Sequence, residues 1–289
     1  MKAIIDNGIL RAAIDSKGCE LVSLKGPDGF EYIWQGSEEY WEGHSPMLFP
    51  VCGRMTGLEY TYDGKKYPMP PHGFLGSMDT VLAGGSTRCA EFLLKSSEET
   101  KKYWPFDFVL RTSFGLNERT LEVSAEVLNL SDVPMPFSFG GHPGFNLPMD
   151  DGLCFEDYSV KFDDGVTPAE MQITPDGYVG PETYAFPLEN SALPLRHGLF
   201  EIEGRFLRGA GHTAVLSSEK GSRSVKMTFP FADVLGLWHA AGTDAPYVCI
   251  EPWAGSPDRQ GVPCDLLKKA DMITVMPGKS AKCVYTITV

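Results

Sequence analysis

The chain has 289 residues, 43% of them hydrophobic and 22% charged, a composition typical of folded soluble proteins. Its formal net charge of -13 repels phosphate backbones, which argues against nucleic acid as a partner. No apolar run is long enough to cross a membrane, and the first residues, MKAIIDNGILRAAID, lack the apolar core of a signal peptide. We therefore expect a cytoplasmic protein, a monomer or homodimer, that does not bind membranes.

A period of two dominates the chain from its first residues. The segments AIIDNGILRAAID, CELVSLKGPDGFEYIW and LEYTYDGKKYPM each predict a hairpin around a turn that contains glycine. RTSFGLNERTLEVSAEVLNLS predicts two strands, and single strands are predicted for SVKMTFPF, DVLGLWHA, YVCIEPW and KCVYTITV. GSEEYWEG and DLLKKADM are short helical candidates. Many short strands with frequent turns predict an all-β sandwich or barrel, in one domain spanning residues 1–289.

Two cationic side chains stand where the strand pattern breaks. Arg54 follows the apolar run SPMLFPVCG, so it is either a surface arginine at a strand end or a guanidinium that donates to ligand oxygens in a pocket. His72 follows two prolines and precedes a glycine. A solvated loop histidine is the commoner case, but the prolines fix the backbone as a binding site requires.

The segment MPFSFGGHPGFNLP begins as a strand and stops at two glycines, where His142 stands. This side chain is either a turn histidine satisfied by its neighbours or an acid–base group that titrates near neutral pH. Phe145 and Asn146, just after it, would offer a ligand an apolar face and an amide.

The segment YVCIEPWAGSPD places a carboxylate in an apolar strand. A period of two puts Tyr247, Cys249 and Glu251 on one face. A buried carboxylate is costly unless it is paired or used, which favours a functional Glu251. An aromatic residue beside polar groups is also typical of a sugar site.

The cysteines, histidines and glycines show no pattern typical of disulfide, metal or nucleotide chemistry. The seven cysteines are an odd number without a CxxC pair, which favours reduced thiols over disulfides, and we expect Cys249 in the core or near Glu251. No HxH, HxxxH, HExxH or GxSxG motif occurs, and neither glycine pair matches a dinucleotide or phosphate loop. We expect no metal and no cofactor.

Taken in order, the segments LFPVCGR, HGF, FSFGGHPGFNLP, LGLW and CIEPWAG resemble the aldose 1-epimerase (galactose mutarotase-like) family, and more narrowly its LacX-like branch. The opening IIDNGILRAAIDSKGCELVSLK and the closing MPGKSAKCVYTI also match, so the resemblance covers essentially the whole chain. Each motif is weak alone, but their order is specific.

The resemblance implies a large antiparallel β-sandwich with a sugar cleft, in which α and β anomers of an aldose interconvert. His142 matches the family's general acid and Glu251 its general base, while Arg54 and His72 match sugar-binding residues and Trp238 a cleft wall. Both catalytic groups must reach oxygens on one hemiacetal carbon, so their polar atoms are predicted to lie roughly 5–8 Å apart. A carboxylate nearby is expected to raise the pKa of the imidazole.

Two departures from the branch concern the substrate. HGFLGSMD stands where members often read HGFARD, so an arginine is missing and Asp79 is displaced; Glu203 is the nearest counterpart of an acidic residue in an LF…DAL segment. Two other interpretations stay open. One is a sugar-binding or sensing protein without turnover. The other is a mutarotase for sugar phosphates, which requires further arginines near the cleft, from candidates such as Arg111, Arg205 and Arg259.

Overall fold

The fold is given by a computed structural model that describes residues 1–201 and 204–289. Regular structure in these two ranges consists of β-strands and single turns of 3-10 helix. The strands are β1 (Lys2–Asp6), β2 (Arg11–Asp15), β3 (Glu20–Lys25), β4 (Met47–Leu48), β5 (Glu59–Tyr62), β6 (Lys65–Pro68), β7 (Val81–Gly85), β8 (Cys89–Lys95), β9 (Phe108–Asn117), β10 (Thr120–Asn129), β11 (Met135–Phe137), β12 (Phe139–Gly141), β13 (Gly144–Asn146), β14 (Ser159–Phe162), β15 (Ala169–Ile173), β16 (Val179–Ala185), β17 (Ala192–Pro194), β18 (Arg205–Arg208), β19 (Thr213–Ser217), β20 (Ser224–Thr228), β21 (Val234–Trp238), β22 (Tyr247–Ala254), β23 (Ile273–Val275) and β24 (Ser280–Thr288). The 3-10 turns are Thr56–Leu58, Leu75–Ser77, Thr100–Lys102, Phe155–Asp157, His197–Phe200 and Leu266–Lys268.

Two large antiparallel sheets form the body of the molecule. The nine-stranded sheet has the order β17-β14-β19-β20-β24-β10-β9-β8-β7. The eight-stranded sheet has the order β16-β15-β18-β21-β22-β12-β4, with β13 also paired to β22. A three-stranded sheet, β1-β2-β3, and the pairs β5-β6 and β11-β23 complete the architecture. The predicted fold class, a large antiparallel β-sandwich with few short helices, is confirmed.

Strand β22 shows how the period of two separates the core from the outer face of the eight-stranded sheet. Val248 and Ile250 pack into the main core, which also contains Leu121 of the nine-stranded sheet. Cys249 and Trp253 instead belong to separate apolar clusters. Because successive side chains point to opposite faces of a strand, these clusters lie on the outer face of the sheet.

The predicted hairpins β1–β2 and β5–β6 are confirmed, and so are the two predicted strands β9 and β10, which pair with each other. In β5–β6 the turn residues Asp63 and Gly64 have φ angles of 48° and 71°. Two successive positive φ angles are typical of a type I′ turn, whose twist matches that of the flanking strands and which favours Asp-Gly.

Three segments differ from the prediction. After β3, residues 30–34 make only isolated bridges, because Ile33 pairs with Phe145 rather than continuing the hairpin. GSEEYWEG is not a helix but a turn closed by a bridge between Ser37 and Trp41. DLLKKADM holds only the 3-10 turn Leu266–Lys268. Across the described ranges, no helix has the length and apolar character needed to cross a bilayer.

Candidate active site

A cavity of about 450 Å³ opens on the outer face of the eight-stranded sheet. Five of the residues singled out from the sequence line it: Arg54, His72, His142, Trp238 and Glu251. They come from distant parts of the chain and meet because β4, β12, β22 and β21 are neighbours in this sheet. The expectation that these residues converge in one cleft agrees with this geometry.

The glycine pair before His142 is required by close packing rather than by an unusual backbone angle. A Cβ atom on Gly140 would lie 2.6 Å from the Trp253 ring and 3.0 Å from Cys52 Sγ, and one on Gly141 would lie 3.0 Å from the Tyr285 ring. Contacts below about 3 Å between carbon atoms are repulsive. The glycines therefore let this strand pack closely against Trp253 in the cavity lining and Tyr285 in the main core.

His142 stands at a gap in the pairing of β22. On one side of the gap β12 pairs with Trp253 and Ala254, and on the other side β13 pairs with residues 247–249. Within the gap Ile250 N donates a hydrogen bond of 3.2 Å to Pro143 O. The chain thus leaves the sheet at His142, opposite Glu251, and re-enters it immediately afterwards.

This gap brings the acid–base candidates into direct contact. His142 Nε2 lies 3.2 Å from Glu251 Oε2, and the two side chains are only 10% and 1% exposed. The predicted separation of 5–8 Å was therefore wrong. The reason is the register on both sides of the gap, which sets His142 directly opposite Glu251 on β22. At this distance a proton can pass directly between them.

The surroundings of His142 disfavour a positive charge on the ring. Trp41, Trp238 and His72 enclose it, with ring centroids 4.9, 5.5 and 5.7 Å away. Burial, and then the neighbouring His72, lower the pKa of His142 below its usual value. The expectation that Glu251 would raise this pKa was wrong, because the loss of hydration on burial is the largest effect on the ring.

His72 is held in a defined tautomer at the cavity wall. Its backbone has a positive φ of 63°, and the next residue, Gly73, accommodates no side chain, since a Cβ there would lie 2.1 Å from Phe49 O. The Nδ1 atom accepts a hydrogen bond of 3.2 Å from Gly53 N, which leaves the ring proton on Nε2. Burial, and then the charge of Arg54, lower the pKa of His72 to about 4.

Arg54 is a cation at the cavity rim. Its Nη1 donates a hydrogen bond of 3.3 Å to Asp176 O, and the guanidinium has further N–H groups for a ligand. Arg54 provides the only lysine or arginine side chain that lines this cavity within the described residues.

The other arginines considered for phosphate binding lie elsewhere. Arg111 is on β9 in the opposite sheet, 3.5 Å from Glu91. Arg205 pairs with Glu170 at 3.0 Å in a smaller neighbouring depression that Glu201 also lines. Arg259 lines an adjoining cavity of about 720 Å³, which shares Pro257 with this one.

Aromatic side chains line much of the cavity, and sequence reasoning found only part of them. Trp41, Phe206 and Trp253 join Trp238 in the lining. Such faces suit the C–H surfaces of a sugar ring. Trp41 was missed because its segment was interpreted as a helix. Phe206 lies in an ordinary strand pattern that carries no signal of a site.

Two predicted binding residues lie outside the cavity. Phe145 is fully buried in the main core, where β13 aligns it with Val248. Asn146 donates from Nδ2 to Glu31 O at 2.8 Å and to Ile33 O at 3.0 Å. The prediction that both residues bind the ligand was therefore wrong. They have structural roles, because the chain has already returned to the sheet after His142. Glu203 lies outside the described residues.

The segment that follows Glu251 is fixed by a buried ion pair at the rim. Lys269 Nζ donates to Asp258 Oδ1 at 2.7 Å and to Ser256 O at 2.8 Å. The other carboxylate oxygen accepts from Thr56 N at 2.9 Å, and Asp258 N donates to Arg54 O at 2.9 Å. These bonds tie the rim segment to the backbone of Arg54.

All seven cysteines have free thiols. Cys249 is buried near Glu251, as the sequence predicts. Cys249 lies two residues before Glu251 on β22, so the two side chains point to the same face of the sheet. Burial raises the pKa of the Cys249 thiol well above its usual value. His142, Cys249 and Glu251 each offer a ligand atom, and these atoms lie within 4.8 Å of one another. No spacing rule could find this group, because its members come from two separate segments.

The antiparallel β-sandwich described above is the fold of galactose mutarotase-like proteins. The comparisons with known proteins agree. The chain belongs to the aldose 1-epimerase family, whose sequence profile matches residues 1–288.

Several relatives match over their full length. The chain is 29% identical to the plasmid-encoded protein LacX of Lactococcus lactis subsp. lactis, over 99% of this chain and 98% of that one. A galactose mutarotase related enzyme from Lactobacillus acidophilus has a TM-score of 0.95 at 34% identity, covering 100% and 97% of the two chains. A galactose mutarotase-like protein from Lactobacillus casei ATCC 334 has a TM-score of 0.92 at 28% identity, covering 100% and 99%. These matches support an isomerase of the sugar epimerase or mutarotase type.

Proposed function

We propose that this protein interconverts the α and β anomers of an unphosphorylated aldose, with His142 as general acid and Glu251 as general base. The observation that carries the proposal is the buried contact of 3.2 Å between His142 Nε2 and Glu251 Oε2 at the cavity wall. A binding protein needs hydroxyl contacts but no such pair.

The reaction requires that the pair carry one proton, with His142 as imidazolium and Glu251 as carboxylate. Glu251 accepts the proton of the C1 hydroxyl while the imidazolium of His142 donates to the ring oxygen. The bond between C1 and the ring oxygen breaks, and C1 becomes an aldehyde. Rotation about the C1–C2 bond then presents the other carbonyl face, and the reverse steps close the ring as the opposite anomer. Each positioned acid or base typically contributes about 10²–10⁴-fold.

Ring closure also resets the pair. After ring opening the imidazole is neutral and Glu251 holds a proton; in closure Glu251 gives that proton to the C1 oxygen while His142 takes the proton of the attacking hydroxyl, so both groups return to their starting states. The lowered pKa of His142 also makes its imidazolium a stronger acid toward the weakly basic ring oxygen. His72, with its proton on Nε2, and Arg54 donate to sugar hydroxyls.

The charges around the cavity favour a free sugar over a sugar phosphate. Arg54 alone would meet a phosphate dianion there, and in the neighbouring depression Arg205 is already paired with Glu170 beside Glu201. Enzymes that hold phosphoryl groups usually gather several donors around them. A protein of Escherichia coli (strain K12) whose name includes glucose-6-phosphate 1-epimerase is 24% identical, but over only 60% of this chain and 58% of that one.

The proposal is tested by anomer exchange. Freshly dissolved α-glucose, α-galactose and glucose 6-phosphate are followed by NMR with and without the protein. We expect acceleration for at least one free sugar and little for the phosphate. Acceleration for the phosphate alone would replace the free aldose with a sugar phosphate as substrate. Sugar binding without acceleration would favour the sensing protein.

Changing Arg54 to Ala is expected to raise KM about tenfold or more and to change kcat much less. The reason is that hydrogen bonds from a charged donor to sugar hydroxyls stabilise the ground and transition states alike, by about 1.5–3 kcal/mol. Arg111→Ala, in the opposite sheet, is the matched control and should leave both constants unchanged. A large loss of kcat with constant KM would instead assign Arg54 to the transition state.

The neutral state of His72 predicts that stability falls in mild acid. The unfolded chain takes up a proton near pH 6.5, whereas the native ring stays neutral down to about pH 4. The contribution is therefore fully present above pH 6.5 and is lost as the pH falls from there, by up to about 1.4 kcal/mol per pH unit.

Urea unfolding of the wild type and His72→Asn at pH 7, 6 and 5 isolates this contribution. Asn still offers an acceptor to Gly53 N but does not titrate. We expect the free energy of unfolding to decline less steeply with falling pH in the variant. Parallel declines would show that native His72 takes up its proton normally.

A further inference from the structure

Three different metal-binding side chains meet at one point beside the cavity. His142, Cys249 and Glu251 are all buried, and their ligand atoms lie within 4.8 Å of one another. Cys249 and Glu251 are alternate residues of β22 and share a face, while His142 reaches them from the gap between β12 and β13. The proposed reaction uses His142 and Glu251 but gives Cys249 no role.

The donor atoms suit zinc. A nitrogen, a sulfur and a carboxylate oxygen are the ligands that bind Zn²⁺ in proteins, at about 2.0–2.3 Å. Tetrahedral geometry with these bonds sets neighbouring ligand atoms roughly 3.3–3.8 Å apart. The pair His142 Nε2 and Glu251 Oε2 is at 3.2 Å, and the widest separation in the group is below 4.8 Å. Side-chain movements of about 1 Å would therefore complete a three-ligand site.

We propose that Zn²⁺ binds reversibly to His142, Cys249 and Glu251 and thereby blocks the acid–base pair. The ion would occupy the lone pairs that accept and return protons, and its charge would offset two buried anions. Inhibition rests on the proposed function, but binding does not.

The surroundings indicate the route and strength of this binding. His142 and Glu251 line the cavity, so an ion can reach them from solvent. Zinc-binding histidines normally donate their second ring nitrogen to an acceptor, and losing that bond weakens a site about 10–100-fold. His142 Nδ1 has no hydrogen-bond partner within the described ranges. We therefore expect weaker binding than in structural zinc sites, as an exchangeable inhibitor requires.

Cobalt is the probe for binding, because Co²⁺ replaces Zn²⁺ and a cobalt–thiolate bond absorbs in the near ultraviolet. The two exposed thiols, Cys89 and Cys154, are first replaced in a Cys89→Ser/Cys154→Ser protein. We expect Co²⁺ titration to give a thiolate band that saturates at one ion per chain and that Zn²⁺ abolishes. Adding Cys249→Ser should remove the band. Absence of the band, or its persistence without Cys249, would overturn the site.

Exchange assays test the inhibition. Zn²⁺ should inhibit the Cys89→Ser/Cys154→Ser protein, and adding Cys249→Ser should raise the half-inhibiting concentration by at least roughly 10–100-fold. Uninhibited rates should be equal, and thermal unfolding together with Cys249→Ala checks that the fold is intact. Equal zinc sensitivity with and without Cys249 would refute inhibition through this site. A protein that binds Co²⁺ through Cys249 but accelerates no sugar would contradict the proposed function and leave the metal site standing.

Discussion

Replacing Glu251 by Gln is expected to lower kcat/KM for anomer exchange by about 10²–10⁴-fold while sugar binding largely survives. Gln has the size of Glu and can still hydrogen-bond, but its amide does not accept the C1 hydroxyl proton. NMR exchange rates give the loss, and calorimetric titration with the sugar gives the binding. Equal exchange rates in wild type and variant would refute the enzymatic proposal and leave a sugar-binding protein.

Two further variants sharpen this result. Glu126→Gln, on β10 of the opposite sheet where Glu126 accepts from Ser280 at 2.8 Å, is the control and should exchange anomers at the wild-type rate. His142→Asn should lose about as much activity as Glu251→Gln. Combining the two should cost little more than either alone, because groups that act as one unit are not additive. Fully additive losses would mean that the two side chains act independently.

Changing Lys269 to Met is expected to lower the free energy of unfolding by about 3–5 kcal/mol. Its side chain is 3% exposed and that of its partner Asp258 is 7% exposed. Removing the cation leaves a buried carboxylate uncompensated, whereas Met preserves most of the length and apolar packing. Urea unfolding measures the change.

The adjacent residue provides the matched control. Lys268 pairs with Asp265 at 2.7 Å, but its side chain is 81% exposed. Lys268→Met should cost at most about 1 kcal/mol, because water screens exposed ion pairs and ordering them costs entropy. Similar losses in the two variants would show that the buried ion pair at Lys269 contributes no more to the free energy of unfolding than the exposed pair at Lys268.

Most of the fold was predictable because its determinants are local. The Asp63–Gly64 turn has the positive φ angles that its sequence indicates, and the strands with a clear period of two form where expected. The failures depend on distant contacts. Ile33 finds its partner in Phe145, and Trp41 turns toward His142, which no local pattern encodes.

The candidate site was predictable as a set of residues but not as a geometry. His142 and Glu251 stood out because each titratable group interrupts an apolar strand. Their separation and the pKa direction of His142 depend on the register between β13 and β22, which aligns Gly144 with Cys249. Phe145 and Asn146 were misassigned for the same reason. They follow His142 closely in sequence, but they lie in β13, where the chain has re-entered the sheet and no longer lines the cavity.

The gap between β12 and β13 bears on how this molecule tolerates changes of chain length. Both flanks of the gap are paired to β22, so residues 141–143 span a fixed distance opposite Glu251. Adding or deleting one residue there would shift a flank by one position and turn its side chains to the other face. Variation in length should therefore be absent between Gly140 and Gly144, where it would separate His142 from Glu251.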